Sequence, residues 1–270
     1  MIIAVLGDVV ARASRDALDQ FIPKLKDQYQ VDGLIVNGEN LAGGFGISKQ
    51  IFEDLTEKHG VDAITLGNHW HKNRDVYHLG YENEKLVFPG NAWNLKKKNI
   101  HGKIITLKNG EKLGIINVLG QVFMHPENDS PFEQIKKCLE ELDVKTVVVD
   151  VHCEATSEKQ ALAWEFAGQV SLLYGTHSHV PTLDHRILQG HTGFVTDLGM
   201  TGAYDSVIGM DIKAAVNRFQ GESSSKYKPA KDNLWMPAML CEIDADSGVC
   251  NSLKRLVYAE SGVREWDPVF

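Results

Sequence analysis

The 270-residue sequence predicts an α/β fold, with two sheets packed face to face and helices outside. Three observations lead there. Apolar runs of strand length alternate with amphipathic stretches up to Gly67, the rhythm of parallel βαβ units. A second series of strand-like runs follows from residue 103 onward, an inventory that two packed sheets would absorb. No internal repeat, long low-complexity stretch or convincing linker divides the chain, so one domain over residues 1–270 is expected.

Ile2-Ile3-Ala4-Val5-Leu6 is a continuous apolar run ended by Gly7-Asp8. Leu18, Phe21, Ile22 and Leu25 then fall at helical spacing. Gly33-Leu34-Ile35-Val36-Asn37 is a second buried-strand pattern, and Ile51, Phe52 and Leu55 mark a second helix. Ala63-Ile64-Thr65-Leu66 is a third strand, again stopped by glycine, at Gly67. Strands at 103–107 and 113–118 flank Asn109-Gly110, a hairpin turn signal. A helix is expected over 132–142, and strands over 146–151, 170–174 and 193–197. Gly221 to Lys226 is serine-rich and reads as a loop, with too little chain after it to build a second core. Strands 238–243 and 253–258 close the chain as a hairpin around Asp246-Ser247-Gly248.

Composition narrows the function classes. Hydrophobic residues make up 43% and charged residues 24%, which is globular and not disordered. The net charge of -8 is the wrong sign for a protein that wraps nucleic acid. Four cysteines (Cys138, Cys153, Cys241, Cys250) show no CxxC spacing and read as buried free thiols. The first apolar run lacks a basic region and is interrupted at Asp8, so it is not read as a signal peptide. No apolar run approaches the roughly 18 residues of a membrane span. A cytoplasmic protein without membrane association is expected.

Five segments place metal-capable or polar residues at the end of an apolar run. They are Gly7-Asp8, Gly38-Glu39-Asn40, Gly67-Asn68-His69, Asp150-Val151-His152 and Gly175-Thr176-His177-Ser178-His179. Parallel strands would project all five to their carboxyl edge, where α/β sheets bind ligands. Each alone has a plainer explanation: Gly-Asp as a turn, Glu39-Asn40 as a helix cap, His152 as a core histidine, Asn68-His69 as turn chemistry. In an extended backbone His177 and His179 would point the same way and reach one centre. Together, one Asp, one Glu, two Asn and three His make a mixed oxygen and nitrogen ligand set. It suits manganese, iron or zinc, and the absence of cysteine argues against a thiolate site. Glu39, with two oxygens, could bridge two ions. Two ions about 3.5–4 Å apart can hold a hydroxide and clamp both sides of an in-line phosphoryl displacement.

This order of motifs resembles the calcineurin-like metallophosphoesterases. Two departures narrow the resemblance: Val10 replaces the histidine of the usual Asp-x-His, and Gly38-Glu39-Asn40 replaces Gly-Asp-x-x-Asp. Both match the YmdB-like branch, as do Gly67-Asn68-His69-Trp70, the run from His152 to Glu158, Gly175 to His179, and Thr196 to Gly202. The resemblance implies a four-layer αββα sandwich and hydrolysis of 2',3'-cyclic nucleotides at the 2' bond by a metal-bound hydroxide, leaving a 3'-nucleotide. It implies that Asp8, Glu39, Asn40 and His179 hold one metal, and Glu39, Asn68, His152 and His177 the other. His69 is then the proton donor, and Asn40 fills the place left by Val10. Iron is the metal implied first, with manganese or zinc as alternatives.

Broader phosphodiesterase or RNA-end processing is the enzymatic alternative, and RNA as a partner stays open. The rival from another class is a regulatory metal-containing protein that acts by binding a partner or RNA, with slow hydrolysis. A homo-oligomer is compatible with the sequence. His59, His71, His78, His101, His125, His185 and His191 lack motif context and read as surface or structural, with His71 near enough to His69 to touch substrate. Lys96-Lys97-Lys98 reads as a solvated loop that could meet an RNA phosphate, Gly199–Gly202 as a turn that the resemblance makes an active-site wall, and Gly43-Gly44-Phe45-Gly46 as a flexible loop that positions substrate.

Overall fold

The computed structural model describes residues 1–95, 102–222, 228–259 and 261–266. Lys96-Lys97-Lys98, His101 and positions 223–226 of the serine-rich loop lie outside the described residues.

The N-terminal βαβ units form as the pattern predicts up to residue 65, and the sheet then gains a further helix and strand that the sequence did not mark. β1 (Ile2–Val9), α1 (Ala11–Tyr29), β2 (Gly33–Asn37), α2 (Lys49–Glu53), β3 (Ala63–Thr65), α3 (Asp75–Glu82) and β4 (Leu86–Val87) succeed one another, with β1 to β4 mutually parallel. The chain then builds a second sheet. It uses β5 (Lys103–Thr106), β6 (Lys112–Leu119), α4 (Pro131–Glu141), β7 (Val147–His152), α5 (Thr156–Glu165), β8 (Leu172–Thr176), β9 (Arg186–Leu188) and β10 (Thr192–Val195). β6, β7, β8 and β10 run parallel, flanked by antiparallel β5 and β9. Finally β11 (Met200–Ala203), α6 (Ile212–Phe219), β12 (Leu234–Ile243), β13 (Cys250–Ala259) and β14 (Gly262–Trp266) return to the first sheet. Its order is β14-β13-β12-β11-β1-β2-β3-β4, against β5-β6-β7-β8-β10-β9 in the second.

Strand alternation explains the layers. Along β1, Ile3 and Val5 enter the core between the sheets, where they meet Val148 and Leu172 of the second sheet. Ala4 and Leu6 face the other way, onto Leu18, Phe21, Ile22 and Leu25 of α1. A fully buried side chain of this kind contributes roughly 1.5–3 kcal/mol of transfer free energy. Val149 and Val151 of β7 likewise pack outward, beneath Ile135 of α4 and Leu162 of α5. The result is the αββα sandwich. All four cysteines are free and buried, as composition implied.

Besides α3, β4, β9, α6 and β14, which the sequence did not mark, three segments depart from expectation. The strand expected at 170–174 runs over Leu172–Thr176, which carries it to the edge of the histidine pair. The segment expected as a wall loop is largely β11, which replaces β12 as the partner of β1 beyond Gly7, with Asp8 opposite Met200. Helix α5 escaped prediction because Glu158 and Lys159 lie on its buried face and interrupt the apolar period.

Candidate metal centre

The five sequence segments meet where the carboxyl ends of β1, β2 and β3 face those of β7 and β8 across the sandwich. Two glycines are demanded by this convergence. A Cβ on Gly7 would stand 1.9 Å from the Gly199 carbonyl oxygen, so only glycine lets β1 approach the chain entering β11 and aim Asp8 inward. A Cβ on Gly67 would stand 2.2 Å from Glu39 Oε2 and 2.3 Å from His152 Nε2, inside the space the donor atoms share.

The donors fall into two groups. Glu39, His152 and His177 bring ligand atoms within 4.8 Å of one another, and so do Asp8, Glu39 and His179. Buried Glu39 belongs to both. The two asparagines extend the groups: Asn68 Oδ1 lies 3.0 Å from His152 Nε2, and Asn40 Oδ1 lies 3.3 Å from His179 Nε2. Val10 is buried and carries no donor on its side chain.

Each histidine has its outward nitrogen fixed by a partner, which leaves the other nitrogen facing the centre. Thr176 donates its hydroxyl to Asp150 Oδ1 at 2.6 Å, so it accepts from His152 Nδ1 at 2.9 Å. His177 Nε2 donates to Glu154 Oε2 at 2.7 Å. His179 Nδ1 donates to the Ile208 carbonyl at 2.9 Å. Partners of this kind set the tautomer and orient metal-binding imidazoles.

The arrangement fits a divalent cation. His152 Nε2 has Asn68 Oδ1 at 3.0 Å, His177 Nδ1 at 3.1 Å and Glu39 Oε1 at 3.2 Å around it. With Nδ1–H given to Thr176, the neutral ring presents a lone pair there, as do its three neighbours. A shared cation, or an extra proton on the ring, makes that meeting favourable. Asp8 Oδ1, fully buried, has no hydrogen-bond partner at all. Charge follows the same logic. Burial opposes a charged His152 ring, yet Glu39 and Asp8 hold its pKa above the usual histidine value. Burial likewise opposes the Glu39 carboxylate, but His152 keeps it ionised below the usual range. Burial raises Asp8, partly offset by His179 and His152. A cation would displace the proton from His152, as metal binding generally does.

His69 stands apart from both groups. Its backbone N–H donates to Glu39 Oε2 at 3.1 Å, and its ring meets the Phe45 ring edge-on at 4.9 Å. It lines a cavity of about 400 Å³ together with Asn68 and His177. Burial lowers its pKa, against the pull of Glu39. The 43–46 loop expected to be flexible is tied to the site: Asn40 Nδ2 donates to the Gly44 carbonyl at 3.0 Å, and Gly46 N–H donates to the Glu39 carbonyl.

The extended-backbone argument for the histidine pair is corrected. His177 and His179 lie beyond β8 with φ of 96° and 63°, and they enter different groups. The sequence reading also passed over the supports. Asp150 accepts from Thr176, Thr65 and Asn37 beneath the site. Lys159, fully buried, meets Asp197 at 2.6 Å, and Asp197 accepts the N–H of Ser178 and of Gly199, fixing both loops. Glu154, within the run from His152 to Glu158, is a further support, through His177. His125, expected to be surface or structural, lines the His69 cavity, as does His71. His59 is structural, its buried ring 3.2 Å from Asp19.

A family model for YmdB-like proteins matches residues 4–256. The chain is 36% identical over 261 residues to the 2',3'-cyclic-nucleotide 2'-phosphodiesterase of Bacillus subtilis (strain 168), spanning 95% of this chain and 97% of that relative. A hypothetical protein from Thermus thermophilus superposes with a TM-score of 0.85 at 33% identity, covering 99% of this chain and 100% of that one. A novel phosphatase from Mycoplasma pneumoniae superposes with a TM-score of 0.88 at 30% identity, covering 99% and 95%.

Proposed function

The chain belongs to the YmdB-like family, and from that premise we propose that it is a two-metal phosphodiesterase that opens 2',3'-cyclic nucleotides at the 2' bond. The relative from Bacillus subtilis bears that activity as its name. In this reading residues 1–270 act as one domain.

Asp8, Glu39, Asn40 and His179 would hold one ion, and Glu39, Asn68, His152 and His177 the other. Such ions, when bound, withdraw charge from phosphoryl oxygens and lower the pKa of water. Iron is proposed from the resemblance; the oxygen and nitrogen donors suit manganese and zinc as well. Thr176, Glu154 and the Ile208 carbonyl hold the three imidazoles in the tautomer that offers a lone pair inward. His69, outside the donor groups and facing the cavity, donates an imidazole proton to the departing 2'-oxygen. Phe45 packs against its ring and limits its rotation.

The observation that carries the reading is Glu39: one buried carboxylate common to two donor groups. The test is turnover of 2',3'-cyclic nucleotides by metal-loaded protein, with the product identified, beside Glu39→Gln. Conversion to 3'-nucleotides that the variant abolishes supports it. Metal uptake without turnover of any phosphodiester overturns it in favour of the regulatory role.

A further inference from the structure

The cavity beside His69 has a second wall that the proposed chemistry does not use. Besides Asn68, His69 and His177, the cavity is lined by Trp93, Phe123 and His125. Trp93 and His125 stack in parallel, with ring centroids 4.3 Å apart and planes at 8°. Trp93 is 45% exposed and Phe123 87% exposed, so neither ring is there to fill the core. Phe123 also has a φ of 61°, a conformation disfavoured for a residue with a side chain.

The backbone that carries these rings is tied down from behind. Glu158, at the start of α5, accepts the N–H of Gln121 at 2.9 Å and of Val122 at 3.3 Å. Asn128 donates to the Gly120 carbonyl at 3.0 Å and accepts the Trp93 N–H at 3.3 Å. Asn91 donates to the carbonyls of Leu119 and Asp129 at 2.7 and 2.8 Å, joining the segment before Trp93 to both ends of the 120–129 loop. Backbone strain at Phe123 in a loop so firmly supported belongs with ligand contact, because the hydrogen bonds on either side hold the backbone in a conformation it would not adopt by itself.

We propose that Trp93, Phe123 and His125 form a stacking platform for the nucleobase of the substrate. The proposal rests on the phosphodiesterase reading and names the substrate class within it. A planar, polarisable ligand suits flat exposed rings, and base–aromatic stacking is tolerant of base identity. A cavity of about 400 Å³ is of the size that takes a small ligand, and its remaining wall carries the proton donor and two of the metal-binding candidates. A phosphate at the donor groups would therefore leave its base facing this platform. The net charge of -8 favours a mononucleotide over a long nucleic acid here.

Calorimetric titration of the metal-loaded protein with adenosine 3'-monophosphate and with ribose 3-phosphate separates base from phosphate. The nucleotide should bind tighter by on the order of tenfold to a hundredfold, the usual worth of one stacked base. Trp93→Ala and Phe123→Ala should each bring that ratio toward one at unchanged metal content, and Trp93→Phe should keep most of it. Equal affinity for the two ligands, no binding of either, or a ratio that survives both alanine variants overturns the proposal. Should Trp93→Ala fail to fold, Phe123→Ala carries the test, since its ring is almost wholly in solvent. Turnover measured alongside keeps the two readings apart. A base preference without hydrolysis leaves the platform and removes the proposed activity; hydrolysis without base preference does the reverse.

Discussion

Replacing Thr176 by valine tests whether the site depends on the orientation of His152. The hydroxyl accepts from His152 Nδ1 at 2.9 Å and donates to Asp150 Oδ1 at 2.6 Å, in a fully buried position. Valine has nearly the same shape, so no cavity forms and the loss is one of hydrogen bonding. Asp150 keeps Thr65 and Asn37 on its other oxygen but loses its donor on Oδ1. Two buried polar groups left unpaired cost about 1–3 kcal/mol each, so about 2–6 kcal/mol together. Loss of a partner behind a metal-binding imidazole typically lowers metal affinity about 10–100-fold. Denaturant unfolding and metal titration of Thr176→Val, beside Thr176→Ser, read both effects. Serine should restore most of each, because it returns the hydroxyl. A valine variant with native stability and native metal affinity would refute the tautomer argument, and a serine variant as damaged as valine would show that the methyl group matters instead.

Glu39→Gln should lose metal from both donor groups while the fold survives; normal metal content with normal turnover would contradict the shared-ligand role. His69→Ala should retain metal and slow cyclic nucleotides by roughly 10²–10⁴, the usual worth of general-acid help. The same variant should spare p-nitrophenyl phosphodiesters, whose leaving group needs no proton, and equal impairment on both would remove His69 as the acid. Chelation should lower Tm. Metal at about 100 times Kd stabilises by roughly 2.7 kcal/mol, which at about 2–4 °C per kcal/mol is roughly 5–10 °C; an unchanged melting curve after verified metal removal would mean that the donor groups hold none.

The sandwich was legible wherever burial was one-sided or complete. Continuous apolar runs marked β1, β2 and β7, and Leu18, Phe21, Ile22 and Leu25 gave α1 at a glance. It was illegible where function or a second sheet overrode the pattern. In α5 the buried Glu158 secures the 120–129 loop and the buried Lys159 neutralises Asp197, so the inner face of the helix is charged. β11 is short and crosses a glycine-rich stretch whose pairing with β1 depends on the close pass at Gly7. The candidate donor residues could be read because each lies at the end of a strand or within three residues beyond it. Thr176 and Asp150 could not, because a threonine and an aspartate inside a buried strand carry no signal until the neighbouring strand ends bring His152 and Asn37 against them. Trp93 and His125 come from separate loops, and nothing in the chain order joins them.

Asp8, Glu39, Asp150 and Asp197 are buried carboxylates at the site, and their hydrogen bonding sorts them. Asp197 has Lys159, Ser178 N–H and Gly199 N–H across its two oxygens. Asp150 has Thr176 on one oxygen and Thr65 and Asn37 on the other. Both are fully partnered and hold structure in place. Asp8 has one backbone donor on Oδ2 and, on Oδ1, no hydrogen bond, with His152 Nδ1 at 3.8 Å. Glu39 has the His69 N–H on Oε2, and on Oε1 only an imidazole that must be protonated to help. A buried carboxylate left so incomplete is costly, and these two turn their open oxygens toward the same space as His152, His177 and His179. Fold stability by itself would favour filling those positions with donors, as it does at Asp150 and Asp197. The deficit is therefore specific to Asp8 and Glu39, and cations held between the candidate donor groups would satisfy it there and not at the carboxylates beside them.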